Sequence, residues 1–186
     1  MTNQFPDVTD WATYWAPEQG PLITQELIKE LQTGVASNAV CYFSMYSFTD
    51  ADVAQQLIRL AKNGASRFLF DRSQFEGHYE RSLVTQFVGP LPTNQWGIGT
   101  SSVDDQILHS KIVALLYPDG TGFTFSGSFN LSESAQKEFN IADFIWSRSR
   151  AELFASQIQA KLSWVQEHQP GVPPQRMGEA ETYEAP

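Results

Sequence analysis

Several features that mark whole protein classes are missing from this chain of 186 residues. Cysteine occurs once, at Cys41, so no internal disulfide can form and a reducing, cytoplasmic compartment is expected. No apolar run approaches the roughly 20 residues that a membrane-spanning helix needs. The first residues, MTNQFPDVTDWATYWAP, lack the basic and apolar regions of a secretory signal. Three scattered histidines and one cysteine cannot make a structural zinc site, and no metal or other cofactor is expected. Neither the nucleophile elbow of serine hydrolases nor a phosphate-binding P-loop occurs, and Gly97-Ile98-Gly99 lacks the third glycine of a dinucleotide loop. Positive charge is scarce as well: 12 Lys and Arg stand against 21 Asp and Glu, a formal charge of −9. That balance argues against gripping long nucleic acid mainly by charge.

What is present reads as one globular domain. The 41% hydrophobic and 18% charged content suits a chain with a core, and the length suits a single domain. The domain is assigned to residues 1–168, and the Pro-rich acidic remainder, 169–186, is expected to be disordered. The acid excess is uneven. Residues 1–58 hold Lys29 alone against seven acids, whereas Arg59, Lys62, Arg67, Arg72 and Arg81 outnumber the acids of 59–81. That positive stretch is the one candidate for a substrate-binding flank, with Arg72 as its substrate-binding residue.

Hydrophobic spacing predicts the elements. Leu22, Ile23, Leu27, Ile28 and Leu31 predict a helix stopped by Gly34. NAVCYFSMYSF (38–48) has the composition of a strand covered on both faces. Thr49 and Asp52 have capping-box spacing before a helix with Val53, Leu57, Leu60 and Ala61 inward. SRFLFD (66–71) is a further strand, which completes a right-handed βαβ unit. A helix around Tyr79, Leu83, Val84 and Phe87 and a short strand near Trp96 follow. Strands over 106–117 and 122–129, a short helix over 131–138, a strand over 140–146 and a helix over 150–168 complete an α/β fold around a mixed sheet. The last helix should turn Phe154, Ile158, Leu162 and Val165 inward.

The informative segment is HSKIVALLYPDGTGFTFSGSFN, residues 109–130. A hairpin turn centred between Asp119 and Gly120 pairs Lys111 with Ser128 and His109 with Asn130, which puts all four polar side chains on one face. The other face would carry Ile112, Ala114, Leu116, Phe123, Phe125 and Phe129 as core. Such a patch suits a phosphate. Histidine can attack phosphorus or move a proton, lysine supplies a point charge, and Asn and Ser add neutral donors.

These residues resemble a known family. HSK followed by GSFN is similar to the H-x-K…G-S-x-N signature of the phospholipase D superfamily. MYSFTDADVAQQLIRLAKNG…FLFD resembles the strand–helix–strand that opens such domains, and the likeness runs from about residue 20 to 165. A single copy of the motif is similar to the small members, which build one active site from two chains. The resemblance implies a single-domain α/β sandwich of the phospholipase D type and a metal-independent phosphodiesterase acting as a homodimer. A nuclease on DNA or RNA is the leading expectation; a phospholipid or small-phosphodiester hydrolase and a non-catalytic phosphate-binding module are the alternatives. It further implies His109 as nucleophile, Lys111 and Asn130 as a phosphoryl clamp, and Ser128 in support.

The pattern differs from the family at two positions. The motif aspartate five residues after the lysine is replaced by Leu116; Asp119 is too far along the strand to substitute and reads as a turn former. The downstream acid that orients the histidine would fall on Ile141. Glu138 and Asp143 flank that position, and Glu138 is taken for the role. Asn140 is a further candidate for the lining of the site. Asp71 ends its strand, either facing the site or capping a helix.

Overall fold

The structure, a computed structural model, describes residues 5–75, 78–100 and 107–169. Strand β1 (Asp10–Ala16) leads into helix α1 (Gly20–Ala36), then β2 (Val40–Met45), α2 (Ala51–Leu60) and β3 (Arg67–Asp71). The four-residue α3 (Arg72–Phe75), α4 (His78–Val88), β4 (Trp96–Gly99) and β5 (Lys111–Leu116) follow. Then come β6 (Gly122–Gly127), β7 (Asn140–Trp146) and α5 (Arg148–His168). The strands form one mixed sheet of seven in the order β1-β7-β6-β5-β2-β3-β4. β2, β3 and β4 run parallel, and the remaining neighbours are antiparallel.

Both faces of the central strands are covered, as the composition of residues 38–48 requires. Cys41, Phe43 and Met45 of β2 join the larger core with Leu27, Leu31, Leu57, Leu60 and Phe87 from α1, α2 and α4. On the opposite face α5 lays Leu162 and Val165 on Leu69 and Leu108. The glycines of the Gly97-Ile98-Gly99 run serve this packing: a Cβ at 97 would stand 2.7 Å from Leu162, and one at 99 2.6 Å from Val165. No helix among the described residues is long and apolar enough to cross a membrane.

Several local expectations change. Gly34 does not stop α1, which runs on to Ala36 because the glycine seats Leu115 and Leu60 against the helix. The N-cap of α2 is Asp50 rather than Thr49; its carboxylate accepts from the N–H groups of Asp52 and Val53. Residues 131–138 hold only a 3-10 turn, Ser134–Gln136. Phe154 is half-buried and receives the Arg150 guanidinium on its ring, while Ala151 and Ala155 fill the inward stripe. Gln169, assigned to the tail, belongs to the fold: it closes α5 and its side-chain amide bonds Thr100 through both ends. Residues 170–186 lie outside the described residues. β1 has no counterpart among the predicted elements.

The hairpin register differs by one residue. Tyr117 N donates to Thr121 O, so the loop is the three residues Pro118-Asp119-Gly120, with Gly120 at φ +88. A three-residue loop closed by a left-handed glycine shifts the pairing by one from a two-residue turn. Val113 therefore opposes Phe125 and Ile112 opposes Ser126. Phe123 and Phe125 share the larger core with Val113 and Leu115, whereas Ser126 stands on the α5 face with Ile112. Asp119 is a turn former, accepting from the backbone and hydroxyl of Thr121.

Candidate active site

Three of the polar residues singled out in the sequence, His109, Lys111 and Asn130, meet the end of β2 where β5 begins, beside the end of β3. Carboxyl ends of parallel strands are where open α/β sheets gather their sites. His109 and Ser110 precede β5 as irregular backbone, not as strand. Tyr46 N donates to Ser110 O at 2.8 Å, which ties this segment to the end of β2. Lys111 is the first residue of β5 and pairs with Met45.

The His109 side chain is exposed, and its ring lies 4.8 Å from the Tyr46 ring, centroid to centroid. Neither ring nitrogen bonds a described residue, so the imidazole is free to meet a ligand. Lys111, by contrast, is only 4% exposed. Its Nζ donates to the His109 carbonyl oxygen at 3.1 Å and sits 4.9 Å over the Tyr46 ring. Burial pushes the Lys111 ammonium down to about 8, and the Asp71 carboxylate pulls the other way.

The GSFN segment reaches the same end by a different route from the one its alternation predicts. The register that pairs Ile112 with Ser126, carried one residue further, puts Gly127 and not Ser128 opposite Lys111. Gly127 has φ +152, and a Cβ there would meet the Ile141 carbonyl oxygen at 2.1 Å, so only glycine permits the turn out of β6. Ser128 then exchanges two bonds with Ile141: its N–H donates to the carbonyl, and its hydroxyl accepts from the amide. Asn130 Oδ1 accepts from Ser47 N at 3.3 Å, and Leu131 bridges to Phe48. The chain thus brings Asn130 to the end of β2, beside the residue that carries the Tyr46 ring.

The other expected residues are placed less centrally. Glu138 is exposed and bonds no described residue. Asp143 accepts from the Thr13 hydroxyl at 2.6 Å and stands opposite Ser126, on the sheet face turned away from Lys111. No carboxylate among the described residues is hydrogen-bonded to His109. Asn140 begins β7 and donates to the Ala135 carbonyl at 3.0 Å, which anchors the 3-10 turn. Arg72 is exposed directly after Asp71, at the site end of β3. Arg59, Lys62 and Arg67 are carried to the opposite end of the sheet: Asn63, in the loop they flank, bonds the carbonyls of Asn38 and Ala39 before β2 begins. Asp104 and Asp105 lie outside the described residues.

Tyr46 is the residue that spacing alone missed. Its signal was an aromatic with a polar head at the carboxyl end of a parallel strand, directly before Ser47 and Phe48. Gln74 was missed too; its Nε2 donates to the Tyr46 hydroxyl at 2.9 Å.

No family model matches the sequence, and no curated protein matches it significantly. Solved structures do. The phospholipase D family member Nuc from Salmonella typhimurium superposes with a TM-score of 0.64 at 19% identity, over 83% of this chain and 95% of that one. NucT from Helicobacter pylori follows at 0.61 and 16% identity, over 83% and 96%. A phosphatidylserine synthase from Haemophilus influenzae Rd KW20 reaches 0.51 at 12% identity, over 85% of this chain and 38% of that one. The seven-stranded mixed sheet and its flanking helices thus share the fold of the phospholipase D family member Nuc and of NucT.

Proposed function

We propose that the chain is a metal-independent phosphodiesterase working through a phosphohistidine, with its active site shared across a homodimer and a nucleic acid, DNA or RNA, as substrate. The observation that carries this reading is one cluster. An exposed imidazole with no hydrogen bond to a described residue is braced on an aromatic ring, beside a buried lysine and an asparagine whose NH2 bonds no described residue.

In the first step the unprotonated ring nitrogen of His109 attacks phosphorus. A P–N bond forms as the P–O bond to the leaving group breaks, and His109 of the partner subunit protonates the departing oxygen. In the second step that histidine takes a proton from water, which attacks phosphorus and releases His109. Lys111 and Asn130 neutralise and orient the non-bridging oxygens in both steps, with Ser128 holding the segment against β7. One chain supplies one such histidine, whereas the two steps need an attacker and an acid; a two-fold contact supplies both. Glu138 is assigned to orient His109 on substrate binding, Asn140 to line the cleft and Arg72 to bind the flanking phosphate.

A second reading, a phosphate-binding module without catalysis, is favoured by one observation: no described carboxylate holds the histidine. Hydrolysis of bis-(p-nitrophenyl) phosphate, DNA, RNA and phospholipid in excess EDTA separates the readings. Cleavage of nucleic acid or the small diester that His109→Ala abolishes is the expected result. Lipid cleavage alone would replace the substrate class. Activity persisting in His109→Ala would overturn the mechanism, and binding without cleavage would establish the module.

A further inference from the structure

Asp71 is fully buried, yet it belongs to neither the H-x-K nor the G-S-x-N segment. A carboxylate removed from water must be met by hydrogen bonds or it destabilises the fold by several kcal/mol. Here two oxygens serve two different parts of the molecule. Oδ1 accepts from Ser73 N at 2.8 Å, from the Ser73 hydroxyl and from Gln74 N at 3.1 Å, which starts the short turn of α3. Oδ2 accepts from the amide of Leu108, in a segment 37 residues further on. Capping accounts for the first oxygen alone.

The two arms close on the same pair of residues. Leu108 is pinned by its side chain in the core beneath α5 and by its amide on Asp71, and His109 is the next residue. Gln74, fixed at its own amide by Asp71, donates to the Tyr46 hydroxyl, and the Tyr46 ring packs on both His109 and Lys111. One buried carboxylate therefore braces the backbone before the histidine and the ring beneath its imidazole. We propose that Asp71 is the positioning residue of this site, setting His109 and Lys111 for the reaction from both sides without touching substrate. The proposal rests on the phosphodiesterase reading given above.

Its charge adds to its geometry. Among the described residues, the ionisable groups facing Lys111 are Asp71 from the end of β3, Tyr46 from the end of β2 and His109 from its own segment. Asp71 opposes the loss of the ammonium's proton that burial favours. Removing that charge should let Lys111 lose its proton at lower pH.

Asp71→Asn keeps the volume but removes the charge and sets an NH2 against N–H donors. Its diester hydrolysis should fall in kcat about 10- to 100-fold, the scale of a small displacement of reacting groups, with KM changed less than about threefold. The alkaline limb of its kcat/KM profile should move to lower pH. The Lys111 ammonium, followed by NMR without substrate, should titrate in the same direction. Tyr46→Phe, which keeps the ring and loses only the hydroxyl, should lower kcat about three- to tenfold, and adding Gln74→Ala should cost nothing further, since both cut one link. Should Asp71→Asn not fold, the Tyr46–Gln74 pair still decides: additive losses, or no loss, would overturn the proposal. So would an Asp71→Asn protein that folds with an unmoved pH limb and unmoved Lys111 titration. A wild-type protein without hydrolysis would defeat the phosphodiesterase reading, and the Lys111 titration would still report on Asp71.

Discussion

Lys111 is held where a lysine is costly to keep. It is almost completely buried, and its ammonium has a hydrogen bond to one carbonyl, an aromatic face and the charge of Asp71 in place of water. An ammonium brought from 10.5 down to about 8 withholds about 3 kcal/mol of folding free energy at neutral pH, reduced to about 1–3 by residual hydration. The sign follows from proton binding: between those values the unfolded chain holds more protons at this residue, so stability rises with pH through the window. Lys111→Met keeps the chain length and removes the charge. It should raise stability at pH 7 by about 1–2 kcal/mol in urea unfolding, with the gap to wild type narrowing as pH goes from 8 to 10. Diester hydrolysis by the same protein should fall at least about 100-fold, the usual loss for one stabilising donor. A protein both less stable and fully active would show that Lys111 is a structural residue. A site that sacrifices stability for a buried charge is what an anion-binding reaction centre requires.

At the scale of elements, the turn after β6 decides whether Ser128 and Asn130 reach the site at all. Gly127→Ala forces a Cβ to 2.1 Å from the Ile141 carbonyl at a φ of +152. It should cost about 2–4 kcal/mol and lower activity beyond the loss of folded protein. Gly64→Ala, with open space around its Cβ, should stay within about 0.5 kcal/mol of wild type in the same denaturation series. This turn also shows what the sequence made legible. Strand β7 spans 140–146 as its pattern predicts, and β2 and β3 pair in parallel, because these segments bury side chains whose spacing shows directly. The hairpin register was not legible, since it depends on whether Gly120 closes a two- or three-residue loop. β1 escaped notice because its outer residues Trp11 and Trp15 are exposed aromatics, so alternation in DWATYWA does not separate a wet face from a core face. His109, Lys111 and Asn130 stand out by motif. Tyr46, Gln74 and the second oxygen of Asp71 do not, because their roles arise from contacts between β2, α3 and the segment before β5, which no spacing along one strand encodes.

At the scale of the whole molecule, the acid excess and the source of the general acid in the proposed mechanism bear on the same question. Arg59, Lys62 and Arg67 lie at the end of the sheet away from His109, so they give no basic track across the site. Affinity for a polyanion must then come from the few groups at the site itself, and the proposed pairing of two copies would double Lys111 and Asn130 around one phosphate and Arg72 at its flanks. In the proposed mechanism pairing would also supply the second histidine that protonates the leaving group. Subunit exchange tests this directly. When wild-type and His109→Ala chains are mixed in equal amounts and allowed to exchange, about a quarter of the dimers keep both histidines. A shared site should therefore leave about half the activity of the wild-type chains present, because each mixed dimer lacks either the attacker or the acid. An independent site in each chain would leave all of it. A single molar mass at twice 20.9 kDa should accompany the loss, and a monomeric protein with undiminished activity would show that one chain finds its acid elsewhere, with Glu138 as the first candidate to replace.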